Sequence, residues 1–447
     1  MFSLALRSVR HRPGRFLATL LAAFLGATIT MTFNSLHDTA AGAGVDDTSA
    51  ETLGLTGGVV GGYGTLLVFF AIASTLTVNV RQRADEIHLL RCTGATPAQI
   101  KRMVVGEAAV VALVGTLLAM GPALLGGRAL VAMFHDTGQV ADSVHHVFGP
   151  IALLSGFWIT LLASVGAAFL AVRRATRAQA GGRAPRGRLR TFGGVAALVG
   201  GLGCLSATFA IDATEPALMA APAYGSILLS LGFAALSPAL LRGLLGLFGR
   251  PLTVFGGASG YLAVHNMRRR AAQLAGILMP LIVFTGVATA TLCMQAVEND
   301  ALKASGLTKD VEAKNLETLN LVAVGIIVVF ACVMLINSLY AATSYRTREF
   351  GGQRLAGATP GQVLGTVGAE GLVLTLTGLF FGTVAGLAGI VPFALVRTDG
   401  DTVLPDQLPV IWLGISAMAA VATLVTSLAT TRRTLRIPAV MAVTAPV

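Results

Sequence analysis

Residues 81–107 read RQRADEIHLLRCTGATPAQIKRMVVGE, and residues 344–370 read SYRTREFGGQRLAGATPGQVLGTVGAE. The two strings align without a gap at an offset of 263 residues. Arg83 matches Arg346, Glu86 matches Glu349, Arg91 matches Arg354 and Glu107 matches Glu370. Between them Gly94, Ala95, Thr96, Pro97 and Gln99 match Gly357, Ala358, Thr359, Pro360 and Gln362. Gly-Ala-Thr-Pro-x-Gln has the chemistry of a junction between two helices. The glycine suits the left-handed position that ends one helix. The threonine suits the N-cap of the next, and proline then falls at the first helical position, where its missing N–H costs nothing. The glutamine completes a capping box by reaching back to the cap N–H. The spacing therefore predicts, twice, a charged helix that turns sharply at Gly94 or Gly357 and a new helix from Pro97 or Pro360.

Working outward, the flanks repeat too. Leu4-Ala5-Leu6-Arg7-Ser8-Val9-Arg10 is similar to Leu262-Ala263-Val264-His265-Asn266-Met267-Arg268. Arg173-Arg174 with Arg177 and Ala180 is similar to Arg432-Arg433 with Arg436 and Ala439. The chain thus divides into a first repeat at 1–180, a basic linker and two-helix hairpin at 181–257, and a second repeat at 258–447. Hydrophobic residues make up 54% of the chain and charged residues 12%, about half the charge of a soluble domain. Runs of about 20 apolar residues mark spanning helices. Ten occur, centred on 16–35, 57–80, 108–133, 149–172, 192–211, 221–241, 273–296, 318–342, 371–394 and 409–430. The expected fold is an all-α integral membrane protein with ten transmembrane helices, two four-helix repeats flanking the central hairpin. Pro122 and Pro280 are expected to kink their spans.

Charge orients these spans. Of the 32 basic residues, 27 fall on one side of the ten-span layout, and only Arg128, Lys303, Lys309, Lys314 and Arg397 fall on the other. Basic residues collect on the cytoplasmic side, which puts both termini in the cytoplasm and the chain in the cell membrane, multi-pass. The pI of about 10.2 does not signal nucleic-acid binding, because the arginines lie between spans rather than on one face of a domain. Basic residues followed by an apolar run at 16–33 resemble a signal peptide, but the same arrangement recurs mid-chain, so a retained first helix is expected. Residues 181–190 read as a flexible basic linker against the anionic inner leaflet.

The repeated turn admits two readings. It is a well-capped loop, or it is a rigid elbow on which a cytoplasmic partner docks. The recurrence of both the capping chemistry and the Arg-x-x-Glu pattern, on one side of the membrane, favours docking. The candidate docking residues are Arg83, Glu86, Arg91, Gly94, Thr96, Pro97 and Gln99 with Arg346, Glu349, Arg354, Gly357, Thr359, Pro360 and Gln362. Glu107 and Glu370 open the third span of each repeat. Carboxylates at membrane depth are functional candidates, although pairing with a nearby arginine or interfacial water explains them equally.

Other chemistry is missing. There is no G-x-x-x-x-G-K-[ST] loop, so the chain has no phosphate cradle for ATP, and it is not expected to be an enzyme. No Cys/His spacing suggests a metal or cofactor. Cys92, Cys204, Cys293 and Cys332 read as small packing residues, and His145-His146 as a solvated pair in an outer loop. The spans carry almost no interior Asp, Glu or Lys, which counts against an ion-coupled transporter.

At the paired elbow, from Arg83 to Glu107 and again from Arg346 to Glu370, the chain resembles the FtsX-like permease family of ABC transporters. That group includes MacB-type macrolide exporters and lipoprotein-releasing permeases. The resemblance covers both repeats and leaves the hairpin outside. It implies a permease that works with a separate cytoplasmic ABC ATPase, a dimer, which contacts the segment corresponding to 81–107. It also implies an amphipathic helix at the N-terminus, which Phe2, Leu6 and Val9 fit. Many members carry a large outer domain between the first two spans of a unit, whereas here 36–56 and 297–317 are short. The function expected is coupling of that ATPase to export or extraction of an amphipathic substrate. The alternative is a transmembrane signal transmitter that regulates an extracytoplasmic partner without moving cargo.

Overall fold

A computed structural model describes residues 13–54, 92–179, 186–213, 216–304, 346–400 and 404–444, with isolated positions between 56 and 90 and between 318 and 339. Its regular elements are helices: α1 (Pro13–Ala40), α2 (Pro97–Asp136), α3 (Pro150–Gln179), α4 (Arg186–Ala207), α5 (Ala220–Phe255), α6 (Gly257–Ala304), α7 (Thr347–Leu355), α8 (Pro360–Arg397), α9 (Leu408–Leu435) and α10 (Ala439–Thr444). Among the described residues, the eight helices other than α7 and α10 are long and apolar enough to cross a membrane. They coincide with eight of the ten expected runs. The other two, 57–80 and 318–342, lie largely outside the described residues. Pro122 and Pro280 sit inside unbroken helices.

The described residues group into two compact units, one of Met1–Ala184 with Lys309–Val333, the other of Pro185–Thr308 with Met334–Val447. In the first unit α1, α2 and α3 pack on one another. No hydrophobic force draws helices together in lipid, so small residues that allow close approach decide where they meet. A Cβ on Gly115 would stand 3.0 Å from the Ala23 Cβ, and one on Gly156 would strike Met31 at 2.2 Å. Ala119 and Ala123, one and two turns beyond Gly115, are fully buried. At the end of α1 the buried Asp38 carboxylate accepts hydrogen bonds from the backbone N–H groups of Gly149 (3.1 Å), Ile151 (3.0 Å) and Ala152 (2.8 Å). It thereby satisfies the first turn of α3 and meets the positive end of that helix. Ser35 pairs with His146 at 3.0 Å, so this histidine is held in the fold rather than solvated as its loop position suggested.

In the second unit α6 packs against α5, α8 and α9, and α4 packs on α5. The glycine stripe Gly378, Gly382 and Gly386 of α8 lies against Leu281, Thr285 and Thr289 of α6. These positions align at the 263-residue offset with Gly115, Ala119 and Ala123, so each repeat carries the same small-residue seam. Between α4 and α5, Gly201 and Gly225 approach in the same manner. Pro238 lacks the N–H that would bond to the Ala234 carbonyl one turn earlier in α5. Ser237 donates to that carbonyl at 2.8 Å, and Arg190 donates to the adjacent Ala235 carbonyl at 2.6 Å. Arginines of the supposed linker are therefore already part of α4, which starts at Arg186. At the other end of α8, Arg397 grips Glu298 of α6 through two hydrogen bonds of 2.7 and 2.8 Å.

Candidate elbows and the ion network behind one of them

Both junctions adopt the geometry their sequences prescribe. Gly94 has φ +93° and Gly357 φ +97°. The Ala95 N–H bonds back to the Leu90 carbonyl, and the Ala358 N–H to the Gln353 carbonyl, both at 2.9 Å. These bonds from the residue after the glycine close a Schellman turn. Thr96 and Thr359 then cap α2 and α8 in extended conformation, with Pro97 and Pro360 as the first helical residues. In each capping box the threonine N–H donates to the glutamine Oε1 at 2.9 Å. The glutamine N–H donates to the threonine Oγ1 at 3.3 Å. A helix stop and a helix start are thus fused with four residues between them, which leaves the turn little freedom. The tip is exposed: Leu355, Ala356, Gly357, Thr359 and Pro360 at the second elbow, and Cys92, Gly94, Thr96 and Gln99 at the first.

Thr359→Ala is expected to cost about 1 kcal/mol through the lost cap, and Thr96→Ala a similar amount. Gly357→Val should cost more, because nothing lies within 4 Å of its Cβ position and the penalty comes wholly from a β-branched residue at positive φ. Denaturant titration of the detergent-solubilised chain measures the order. A Gly357→Val variant as stable as Thr359→Ala would show that the turn can relax.

The charges behind the second elbow point inward. Arg346, just before α7, is buried. It donates to both Glu349 carboxylate oxygens, at 3.2 and 3.1 Å. It also donates to both oxygens of Glu370 on α8, at 3.0 Å from Nη2 and in close contact from Nη1. Arg270 of α6 closes on Glu349 from the other side. Asn266 of α6 donates to Glu349 at 3.3 Å and to Glu370 at 3.4 Å. Two guanidinium groups and two carboxylates make the cluster neutral, which is the condition under which buried ions are tolerated. Burial works against the charge of Arg346, yet Glu370 and Glu349 outweigh it and hold the guanidinium above its ordinary pKa. Burial likewise pushes the Glu349 carboxyl up, but hydrogen bonds and charge from Arg346 and Arg270 leave it below the usual carboxylate range. Arg354 donates to the Leu435 and Ile437 carbonyls at 3.2 and 2.7 Å, which caps the end of α9.

Of the residues singled out in the sequence, Arg346, Glu349 and Glu370 therefore meet in one network, while Gly357, Thr359, Pro360 and Gln362 form the turn in front of it. Arg354 serves the neighbouring helix. In the first repeat Gly94, Thr96, Pro97 and Gln99 form the matching turn and Glu107 is buried on α2; Arg83, Glu86 and Arg91 lie outside the described residues. Asn266 and Arg270 were not singled out. They belong to the helix opposite, 79 and more residues from their partners, and no local pattern announces them. The aligned positions in the first repeat are Ser8 and Arg12, also outside the described residues.

Residues 58–180 and 321–439 match the FtsX-like permease C-terminal family. No curated protein matches the chain. Each matched segment contains one elbow and one buried glutamate on the helix it opens, and the two together cover more than half of the 447 residues. The chain is a multi-pass membrane protein that belongs to the FtsX-like permease family.

Proposed function

We propose that the chain is the permease subunit of an ABC transporter in the cell membrane, coupling a separate ATPase dimer to the export or extraction of an amphipathic substrate. In this reading ten spans form two four-helix repeats, 1–180 and 258–447, around the hairpin 181–257. Both termini and both elbows face the cytoplasm. The family is a membrane component that is not itself an ATPase and pairs with an ATPase subunit. The observation that carries the reading is the elbow found twice: an exposed, doubly capped turn that a partner can push on without melting it. One elbow per repeat offers one seat for each ATPase copy. The role of the charges follows from the second elbow. Arg346, Glu349 and Glu370 fasten α7 to α6 and α8, so that a displacement of the turn moves the spanning helices. The exposed tip, rather than the ions, meets the partner. Arg83, Glu86 and Glu107 carry the same pattern and are assigned the same task, and Arg91 that of Arg354. The apolar outward residues of α4 and α9, such as Phe192 and Val421, face the bilayer.

The test is purification with and without the partner. The chain alone is expected to hydrolyse no ATP. Expressed with its ATPase it should co-purify, and the Gly94→Val, Gly357→Val double variant should lose the partner. Retention of the ATPase by the double variant at the unmodified level overturns the docking role. Stimulation of hydrolysis by an added lipid or peptide in liposomes separates a transporter from a signal transmitter.

A further inference from the structure

At their joined, arginine-rich ends α5 and α6 form a long helical hairpin. Arg190 at the start of one spanning helix reaches the Ala235 carbonyl of α5, and Arg268 reaches the Leu245 carbonyl at 2.8 Å. These arginines mark the edge of the apolar zone between residues 235 and 245 of α5. Another ten residues carry α5 about 15 Å further before it turns at Gly257, which has φ +53°. A headgroup layer adds only about 5–8 Å to each side of the hydrocarbon core. With the membrane edge placed at these arginines, the turn and the residues beside it lie beyond the headgroups, in water.

These residues are nevertheless apolar. Leu247 is 71% exposed, Val254 74% and Tyr261 60%, and Phe248 is half exposed. They alternate with exposed Arg242, Arg250 and Arg269. The opposite stripe of α5, Leu241, Leu245 and Gly249, is buried, so the exposure belongs to one face and is not general. Clustered apolar side chains in water mark a surface that another protein covers. The hairpin also touches the elbow: Ser259 Oγ donates to the Gln362 carbonyl at 3.3 Å, and Ser259 lies against Gly365.

We propose that the outer face of this hairpin tip, Leu247, Val254 and Tyr261 framed by Arg250 and Arg269, is a second contact surface for the ATPase subunit that seats on the adjoining elbow. This rests on the reading of the elbow as an ATPase seat. A body resting on Gly357 and Pro360 meets the hairpin beside them. The arginine frame calls for an acidic rim on that body around an apolar patch. α5, from the inserted pair, and the start of α6, from the second repeat, thereby share one surface.

The contact is tested by labelling inside-out vesicles with a membrane-impermeant maleimide. The chain carries Val254→Cys, or Gly361→Cys at the elbow, after Cys92, Cys204, Cys293 and Cys332 are replaced by alanine. The probe is the ATP-hydrolysing subunit that co-purifies with the chain. Val254→Cys should resist labelling in untreated vesicles and label fully once peripheral proteins are stripped. It should lose labelling again when the purified ATPase is added back. If Gly361→Cys follows this cycle and Val254→Cys labels throughout, the hairpin contact is overturned while the elbow reading stands. If neither position responds, both fall. If Val254→Cys stays unlabelled after stripping, lipid or a second copy covers the hairpin, and the inference is overturned. A Leu247→Asp, Val254→Asp variant that keeps all four cysteines gives an independent reading. It should retain less ATPase on purification, and unchanged retention overturns the contact.

Discussion

Replacing Arg346 with alanine is expected to lower the stability of the second unit by about 3–5 kcal/mol, the range for removing one partner of a buried ion pair. The cost comes from what is left behind. Among the described residues, Glu370 keeps only the long contact from Asn266, and Glu349 keeps Arg270 and Asn266. A carboxylate buried without a counter-charge is penalised far more than the intact pair is rewarded. Arg346→Lys should fall between, because an ammonium cannot hold two carboxylates through a planar fork. Arg346→Ala combined with Glu370→Gln should lose less than the sum of the two single variants, since each removes the reason for the other's cost. Denaturant titration in detergent, followed through the cooperative loss of helix, reads all four. An Arg346→Ala chain as stable as the unmodified one would mean that water reaches the network and screens it.

The second large effect is expected at the α6–α8 seam. A Cβ on Gly382 would stand 2.5 Å from the Thr285 Cβ, and 3.0 Å from both the Gly286 amide nitrogen and the Ile282 carbonyl oxygen. Two of those three are backbone atoms, so no rotamer change relieves the clash and the helices must part. Gly382→Ala should cost about 1–3 kcal/mol and Gly382→Leu more, by overpacking. Gly414→Ala supplies the control, because nothing lies within 4 Å of its Cβ position in the interior of α9. There alanine's better helix propensity should leave stability unchanged or raise it by up to about 1 kcal/mol. Equal behaviour of Gly382→Ala and Gly414→Ala would show that the seam is looser than its distances.

The elbows were legible because their code is local. Thr359 and Gln362 are three residues apart, and the Schellman bond spans five, so the sequence contains every partner. Arg346 and Glu349 are also three apart, and their pairing could be read from the helical period alone. The other half of the network could not. Glu370 lies 24 residues from Arg346, and Asn266 lies 104 from Glu370. Only the packing of α6 on α8 brings them together, and the seam that does so is written in glycines, which carry no sign of what they face. Length and charge gave eight of the spans, because the cost of a polar group in hydrocarbon makes hydropathy a direct reading of the solvent. The exposed face at the far end of α5 was less visible. Leu247 and Val254 are exposed there, and in sequence they look no different from the buried leucines beside them.

The unbroken length of α8 has a mechanical consequence. From Pro360 to Arg397 it runs 38 residues, about 57 Å, pinned near one end by the Arg346 cluster and at the other by the grip of Arg397 on Glu298. A stiff rod of that length works as a lever. A tilt of about 5° at the elbow sweeps the far tip through roughly 5 Å, about one helical pitch. Because Glu298 belongs to α6, the stroke is delivered to two helices at once. A small rocking of the turn at one end of α8 thus becomes a displacement of several ångströms at the other end, shared with α6 through Glu298.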